Sequence, residues 1–286
     1  MTGRNAPPSR PTTPTDPTLI AHPVPRKRSF PIRSFGPGAA IDAPNPDPRL
    51  WTVDLMNAWW EDFFRAAGPC EDDMRENKAV LNTVRGSEAV IWRDDEVLVP
   101  QPTWGFYVFL THYDAVTRDS VPRAMENWVK LLGWCQGANA NPPDLYADEA
   151  FRRFKLDLVD EQDTLAKASI DRVRECFRTL VRSLEITDNN DDEEEDVWVP
   201  PTRNKICLLL NADKVQMLAN LTFSDNADYL ECYKTYAACR VLAIDIEWQR
   251  PETASDQYRG ARELSIDSLA RAYDLLCDGD LSDYME

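Results

Sequence analysis

Histidine is nearly missing from this chain: two occur in 286 residues, His22 and His112. Any chemistry that needs an imidazole base would fall to His112, because His22 sits in a proline-rich stretch without hydrophobic periodicity. Glycine is scarce too, at ten residues. Neither the GxGxxG fingerprint nor a P-loop occurs, so a nucleotide would lack its usual backbone nest. No GxSxG elbow marks a serine hydrolase. The seven cysteines contain no CxxC pair. Cys232 and Cys239 lie seven apart with no second pair nearby, so structural zinc is not expected. No run approaches the roughly 18 apolar residues of a membrane helix, and the first residues hold no apolar signal core. An odd number of thiols among apolar neighbours, as in "KICLLL", fits free buried cysteines in a reducing compartment. The expected location is cytoplasmic, or nuclear if Arg26-Lys27-Arg28 acts as a basic import cluster.

Charge is unevenly placed. The net charge is −17, yet residues 1–50 hold seven Arg or Lys against three Asp, leaving −21 on the remainder. Such a body repels phosphate backbones and anionic membrane surfaces. Nucleic-acid binding by the folded part and membrane association are therefore not expected. This also counts against an RNA-binding sheet built on Trp104, Phe106 and Tyr107.

Twelve of the 21 prolines lie in residues 1–48. A segment so poor in apolar surface cannot offset its ordering entropy, and it reads as a disordered basic arm. Residues 49–277 read as a single globular domain, with an acidic loop at 187–196 and an acidic tail at 278–286. In "LWTVDLMNAWWEDFFRAA", Leu55, Trp59 and Phe63 form one helical row with Met56, Trp60 and Phe64 beside it. "EAVIWRDDEVLVP" reads as strands Ala89–Trp92 and Val97–Val99 around an Asp94-Asp95 turn.

"TWGFYVFLTHYD", residues 103 to 114, is apolar on both strand faces, which marks a central strand covered on both sides. Ser120 reads as the cap of a helix with Pro122 in its first turn, and Gly133 or Gly137 as its end. "FKLDLVD" alternates, with Phe154, Leu156 and Leu158 inward and Lys155 and Asp157 outward, as in a half-exposed strand. Ser169 caps a helix whose Ile170, Val173, Phe177, Leu180, Val181 and Leu184 keep a 3.6 period. "KICLLLN" reads as a strand, Asn211 as a helix cap, "CRVLAIDIEW" as a strand and Ser265 onward as a last helix. This alternation predicts an α+β or α/β fold: one layered sandwich, with a mixed sheet of about four to six strands under helices. The strand order stays open.

The run from Trp104-Gly105-Phe106 to Thr111-His112-Tyr113, then Trp128 with Leu131-Leu132, resembles a pattern in expanded fungal families of hypothetical proteins. "SIDRVRECF" and "RNKICLLLN" are similar in kind and order. Leu110 departs from the pattern, standing where an Arg is expected. The resemblance implies a fold and carries no site.

Metal ligation fails on spacing. Asp188, Asn190 and Asp192 match the first ligands of a calcium loop, but its sixth position is Glu193 and its twelfth Val199. No metal or cofactor is therefore expected. One constellation remains. If neighbouring strands run parallel, their ends collect on one edge. That edge would carry His112, Tyr113 and Asp114, then Asp160 and Glu161, then Asn211 and Asp213. A histidine among carboxylates can serve as general base or metal ligand, so His112, Asp114, Asp160 and Asp213 are the candidate catalytic residues. The same residue types also cap helices and make turns after strands. Two readings of function follow. The first is a non-enzymatic intracellular interaction protein, an acidic body with a flexible basic arm that binds a protein partner or self-associates. The alternative is a small-molecule or metal-dependent enzyme using that edge.

Overall fold

The computed structural model describes residues 30–42, 51–68, 75–86, 91–93, 96–99, 103–135, 144–184, 205–223, 237–248, 258–275 and 281. His22, Arg26-Lys27-Arg28, the Asp94-Asp95 turn, the acidic loop 187–196, and the tail 278–286 apart from Leu281 lie outside them.

In chain order the elements are β1 (Ile32–Phe35), α1 (Ala39–Asp42), β2 (Trp51–Thr52), α2 (Val53–Ala67), α3 (Arg75–Gly86), β3 (Ile91–Arg93), β4 (Glu96–Val99), β5 (Trp104–Leu110) and α4 (Ala115–Cys135). There follow α5 (Leu145–Arg153), β6 (Phe154–Val159), α6 (Gln162–Leu165), α7 (Ile170–Leu184), β7 (Ile206–Leu210), α8 (Ala212–Ala219), β8 (Arg240–Asp245), β9 (Ala261–Ser265) and α9 (Leu269–Leu275). The main sheet has the order β1-β6-β5-β7-β8-β9, and β2-β4-β3 form a separate antiparallel sheet. Strands β6, β5 and β7 run parallel to one another, while β1, β8 and β9 are joined antiparallel. The layered α+β sandwich with a mixed sheet is therefore present.

Strand β5 is the middle of the parallel trio and every one of its residues is buried. Its Trp104, Phe106, Val108 and Leu110 join one apolar cluster with residues of α2, α3, α4, α5, α8 and α9. Tyr107 and Phe109 join the opposite cluster, beneath Val173, Phe177 and Leu180 of α7. The rings bind layer to layer: Trp104 lies 4.8 Å from Phe154 and 5.4 Å from Tyr273, and Phe109 lies 5.8 Å from Phe177, between ring centroids. The Trp104 indole N–H donates to Ala150 O at 2.7 Å, which satisfies its polar atom inside the core.

Several local expectations need correction. Strand β1 and helix α1 fall inside the stretch read as a disordered arm, so the folded body begins well before residue 49. Strand β6 is buried along its whole length, Lys155 and Asp157 included, with β1 paired along its outer side. Helix α4 starts at Ala115 behind Asp114, not behind Ser120. Pro122 therefore lies inside the helix, Ser120 Oγ instead donates back to Val116 O, and the helix runs through Gly133 to Cys135. Strand β9 occupies residues just before the expected last helix, and α3 follows α2. The expected hairpin is present as β3 and β4, in the smaller sheet. The Ser169 cap holds, its hydroxyl accepting the Arg172 N–H at 3.2 Å. Among the described residues, no helix is long and apolar enough to cross a membrane.

Candidate functional site

Parallel pairing of β5 with both neighbours brings three strand ends to one edge. Phe109 pairs with Val159 and Leu110 with Leu210. Thr111 to Asp114, Asp160-Glu161 and Asn211 to Asp213 therefore leave the sheet side by side, in the place where open α/β sheets bind ligands. Two backbone bonds extend β5 past Leu110: Thr111 N–H donates to Leu210 O at 3.1 Å, and Lys167 N–H donates to Thr111 O at 2.8 Å. Lys167 has φ of 57°, the left-handed conformation that costs a non-glycine residue about 1–2 kcal/mol.

Most of the candidate side chains are occupied locally. Asp114 accepts the Thr117 N–H at 3.0 Å and the Thr117 hydroxyl at 2.6 Å, and so caps α4. These bonds hold its carboxyl below the usual aspartate range. Asn211 Oδ1 accepts the Lys214 N–H at 2.9 Å and caps α8. Asp213 is exposed in the first turn of α8, where the helix dipole favours a carboxylate. Asp160 is exposed, and its N–H reaches Pro31 O at 3.3 Å beside β1. Tyr113 Oη donates to Leu110 O at 2.9 Å. Burial first, then the nearby Asp160 carboxylate, push its phenol well up, so it stays a donor.

His112 is half-buried, and its Nδ1 lies 3.3 Å from Thr111 Oγ1. Among the described residues, no hydrogen bond or ion pair joins it to Asp114, Asp160 or Asp213, and no group of three His, Cys, Asp or Glu is placed to hold a metal ion. The topology thus gathers the candidates on one edge without linking imidazole to carboxylate.

The caps yield two expected results. Asn211→Ala should cost about 1 kcal/mol, read by urea denaturation. Asp114 titrates lower folded than unfolded, so its contribution is complete above the unfolded value of about 4 and disappears as pH falls through the folded one. Asp114→Asn should therefore lower the melting temperature at neutral pH, with the deficit from wild type shrinking as pH falls through the folded value.

Elsewhere the structure places buried ionic groups that the sequence pattern did not reveal. Lys155 Nζ lies 3.3 Å from Asp157 Oδ2 inside the α7 side of the sheet, with Ser34 Oγ donating to Asp157 Oδ1 at 2.5 Å. Arg153 is fully buried, with its guanidinium 4.9 and 4.6 Å from the ring centres of Trp59 and Trp60 and its Nε donating to Glu149 at 2.7 Å. Arg174 of α7 donates to the carbonyls of Asp245, Arg259 and Gly260, and Arg178 to those of Ile246 and Trp248, tying α7 to the β8–β9 region. The available sequence signal was opposite charge at i, i+2 in β6 and arginines four apart on α7. Comparisons of the chain with protein-family models, curated proteins and solved structures find no match.

Proposed function

We propose that this protein acts by binding a protein partner, with its acidic body and basic N-terminal region as the two contributing surfaces. The observation that carries this reading is the state of the candidate edge. Asp114 and Asn211 are spent on helix caps, and the His112 ring contacts a threonine hydroxyl instead of a carboxylate. Charge segregation supports it, since a chain of net −17 begins with a segment in which basic residues outnumber acidic ones. Opposite charges raise association rates and fix orientation, more so at low salt. A soluble intracellular setting belongs to the same proposal.

The test is capture of partners by the full chain at low and high salt, alongside size-exclusion chromatography with light scattering. A stoichiometric complex that weakens with salt is expected, and His112→Ala should leave it intact. A chain that stays monomeric and captures nothing at either salt concentration overturns the reading. Enzymatic use of the strand-end edge keeps one observation in its favour, the parallel β6-β5-β7 trio that assembles it. Turnover abolished by His112→Ala would decide for that second reading.

A further inference from the structure

The two edges of the main sheet are finished differently. Strand β9 forms one edge. Asp245 N–H donates to Gly260 O and Ile266 N–H to Cys239 O, so the backbone groups of Ala261, Glu263 and Ser265 turn outward. Two of these three carbonyls are already covered. Arg240 Nη2 donates to Glu263 O at 3.1 Å, and Ser268 donates to Ser265 O through its N–H at 3.2 Å and its hydroxyl at 2.9 Å. Covering two acceptors makes this edge less able to pair with another chain.

Strand β1 forms the other edge, and among the described residues it lacks such covering. Asp160 N–H donates to Pro31 O, which sets the register so that Arg33 and Phe35 direct their backbone groups to β6. The N–H and C=O of Ile32 and Ser34 then point away from the sheet. Among the described residues, nothing hydrogen-bonds to those four groups. Arg33 and Ser34 are exposed. The strand is nonetheless firmly attached. Ser34 Oγ bonds to buried Asp157, Gly38 N–H donates to Phe154 O at 2.8 Å, and Cβ atoms at Gly36 or Gly38 would meet β6 and α5 backbone within 3 Å. The edge is thus pre-organised, which lowers the ordering cost of adding a strand.

We propose that the outer edge of β1 docks an extended acidic segment of a partner protein by strand addition. This rests on the partner-binding reading above and names its surface. Charge selects the occupant. From Pro25 to Phe35 the chain carries Arg26, Lys27, Arg28 and Arg33 and no acidic residue, inside a protein of net −17. A second copy paired two-fold about Arg33 would set Arg33 opposite Arg33, and like charges directly opposed destabilise a ladder, whereas an acidic strand meets Arg33 with opposite charge in any register.

The test uses the full chain and a short fluorescein-labelled peptide of alternating valine and glutamate, titrated by fluorescence anisotropy. Saturable binding is expected. N-methylation of the peptide at alternate residues, on the edge that would face β1, should weaken it about tenfold or more, the equivalent of one to two backbone hydrogen bonds. Ile32→Pro should do the same, because it deletes an outward N–H and leaves the β6 ladder intact. The N-methyl peptide leaves the protein unchanged, so the result does not depend on how that variant folds. A lysine-for-glutamate peptide should not bind. Absence of binding, or binding indifferent to both N-methylation and Ile32→Pro, overturns the proposal. A captured partner that ignores Ile32→Pro would sink the β1 edge and leave the partner-binding reading standing. Failure to capture any partner would sink that reading itself.

Discussion

Gly105→Ala is expected to cost about 3 kcal/mol or more and to leave little cooperatively folded protein. Gly105 lies in β5 with φ of +132°, a conformation that L side chains rarely adopt. A Cβ there would stand 1.8 Å from Lys155 O and 2.9 Å from Lys155 C. Both atoms belong to the backbone of β6, which pairs with β5 from Trp104 to Phe109. No side-chain rotation relieves the clash, so β5 and β6 must separate at the centre of the sheet. Because whole domains are stable by only about 5–15 kcal/mol, this one methyl group consumes a large share of the margin. Urea denaturation followed by tryptophan fluorescence measures it. A wild-type midpoint for Gly105→Ala would contradict the β5–β6 pairing.

Asp157→Ala is expected to cost about 3–5 kcal/mol, the usual consequence of removing one partner from a buried ion pair. The side chains of Lys155 and Asp157 are 9% and 5% exposed, so neither charge has much water to fall back on. Ser34 would lose its acceptor as well, loosening β1. Replacing both charges tells a different story. Lys155→Met with Asp157→Leu removes the desolvation cost along with the attraction, and should destabilise far less than Asp157→Ala alone. If the single and double replacements fall equally, local packing and not charge governs the pair. If Asp157→Ala changes stability by under about 0.5 kcal/mol, as exposed sites do, the burial of β6 is wrong.

Legibility in the sequence followed the range of the interactions. Strand β5 could be read because its ten-residue environment is apolar on both faces, and coverage on both sides is the only stable outcome. Helix α7 could be read because Val173, Phe177 and Leu180 repeat at helical spacing, and the caps at Ser169 and Asn211 are made within three residues. The gathering of His112, Asp114, Asp160 and Asn211 on one edge followed from alternating strands and helices. What each would do there did not, since a carboxylate that caps a helix and one that waits for a substrate look alike in sequence. Strand β1 was hidden for another reason. Its four residues lie between prolines and glycines, and its stability comes from β6, more than a hundred residues away. Distance also hides the setting of Lys155 and Asp157. Their alternation with Phe154, Leu156 and Leu158 suggests a wet face, whereas they are buried, paired with each other, and Asp157 is met by Ser34 of distant β1. Strand β9, with Leu264 as its fully buried anchor, offers too little period-two signal to separate it from the turn and helix that follow.

The central claim is that β1 is a strand held to β6 on one side and open on the other. Residue-resolved hydrogen–deuterium exchange of the full chain tests it most directly. The expected result alternates: the amides of Arg33 and Phe35 exchange slowly, those of Ile32 and Ser34 exchange fast, and the fast pair slows when the acidic peptide is present. Four amides exchanging equally fast, or four equally slow without any partner, would contradict it.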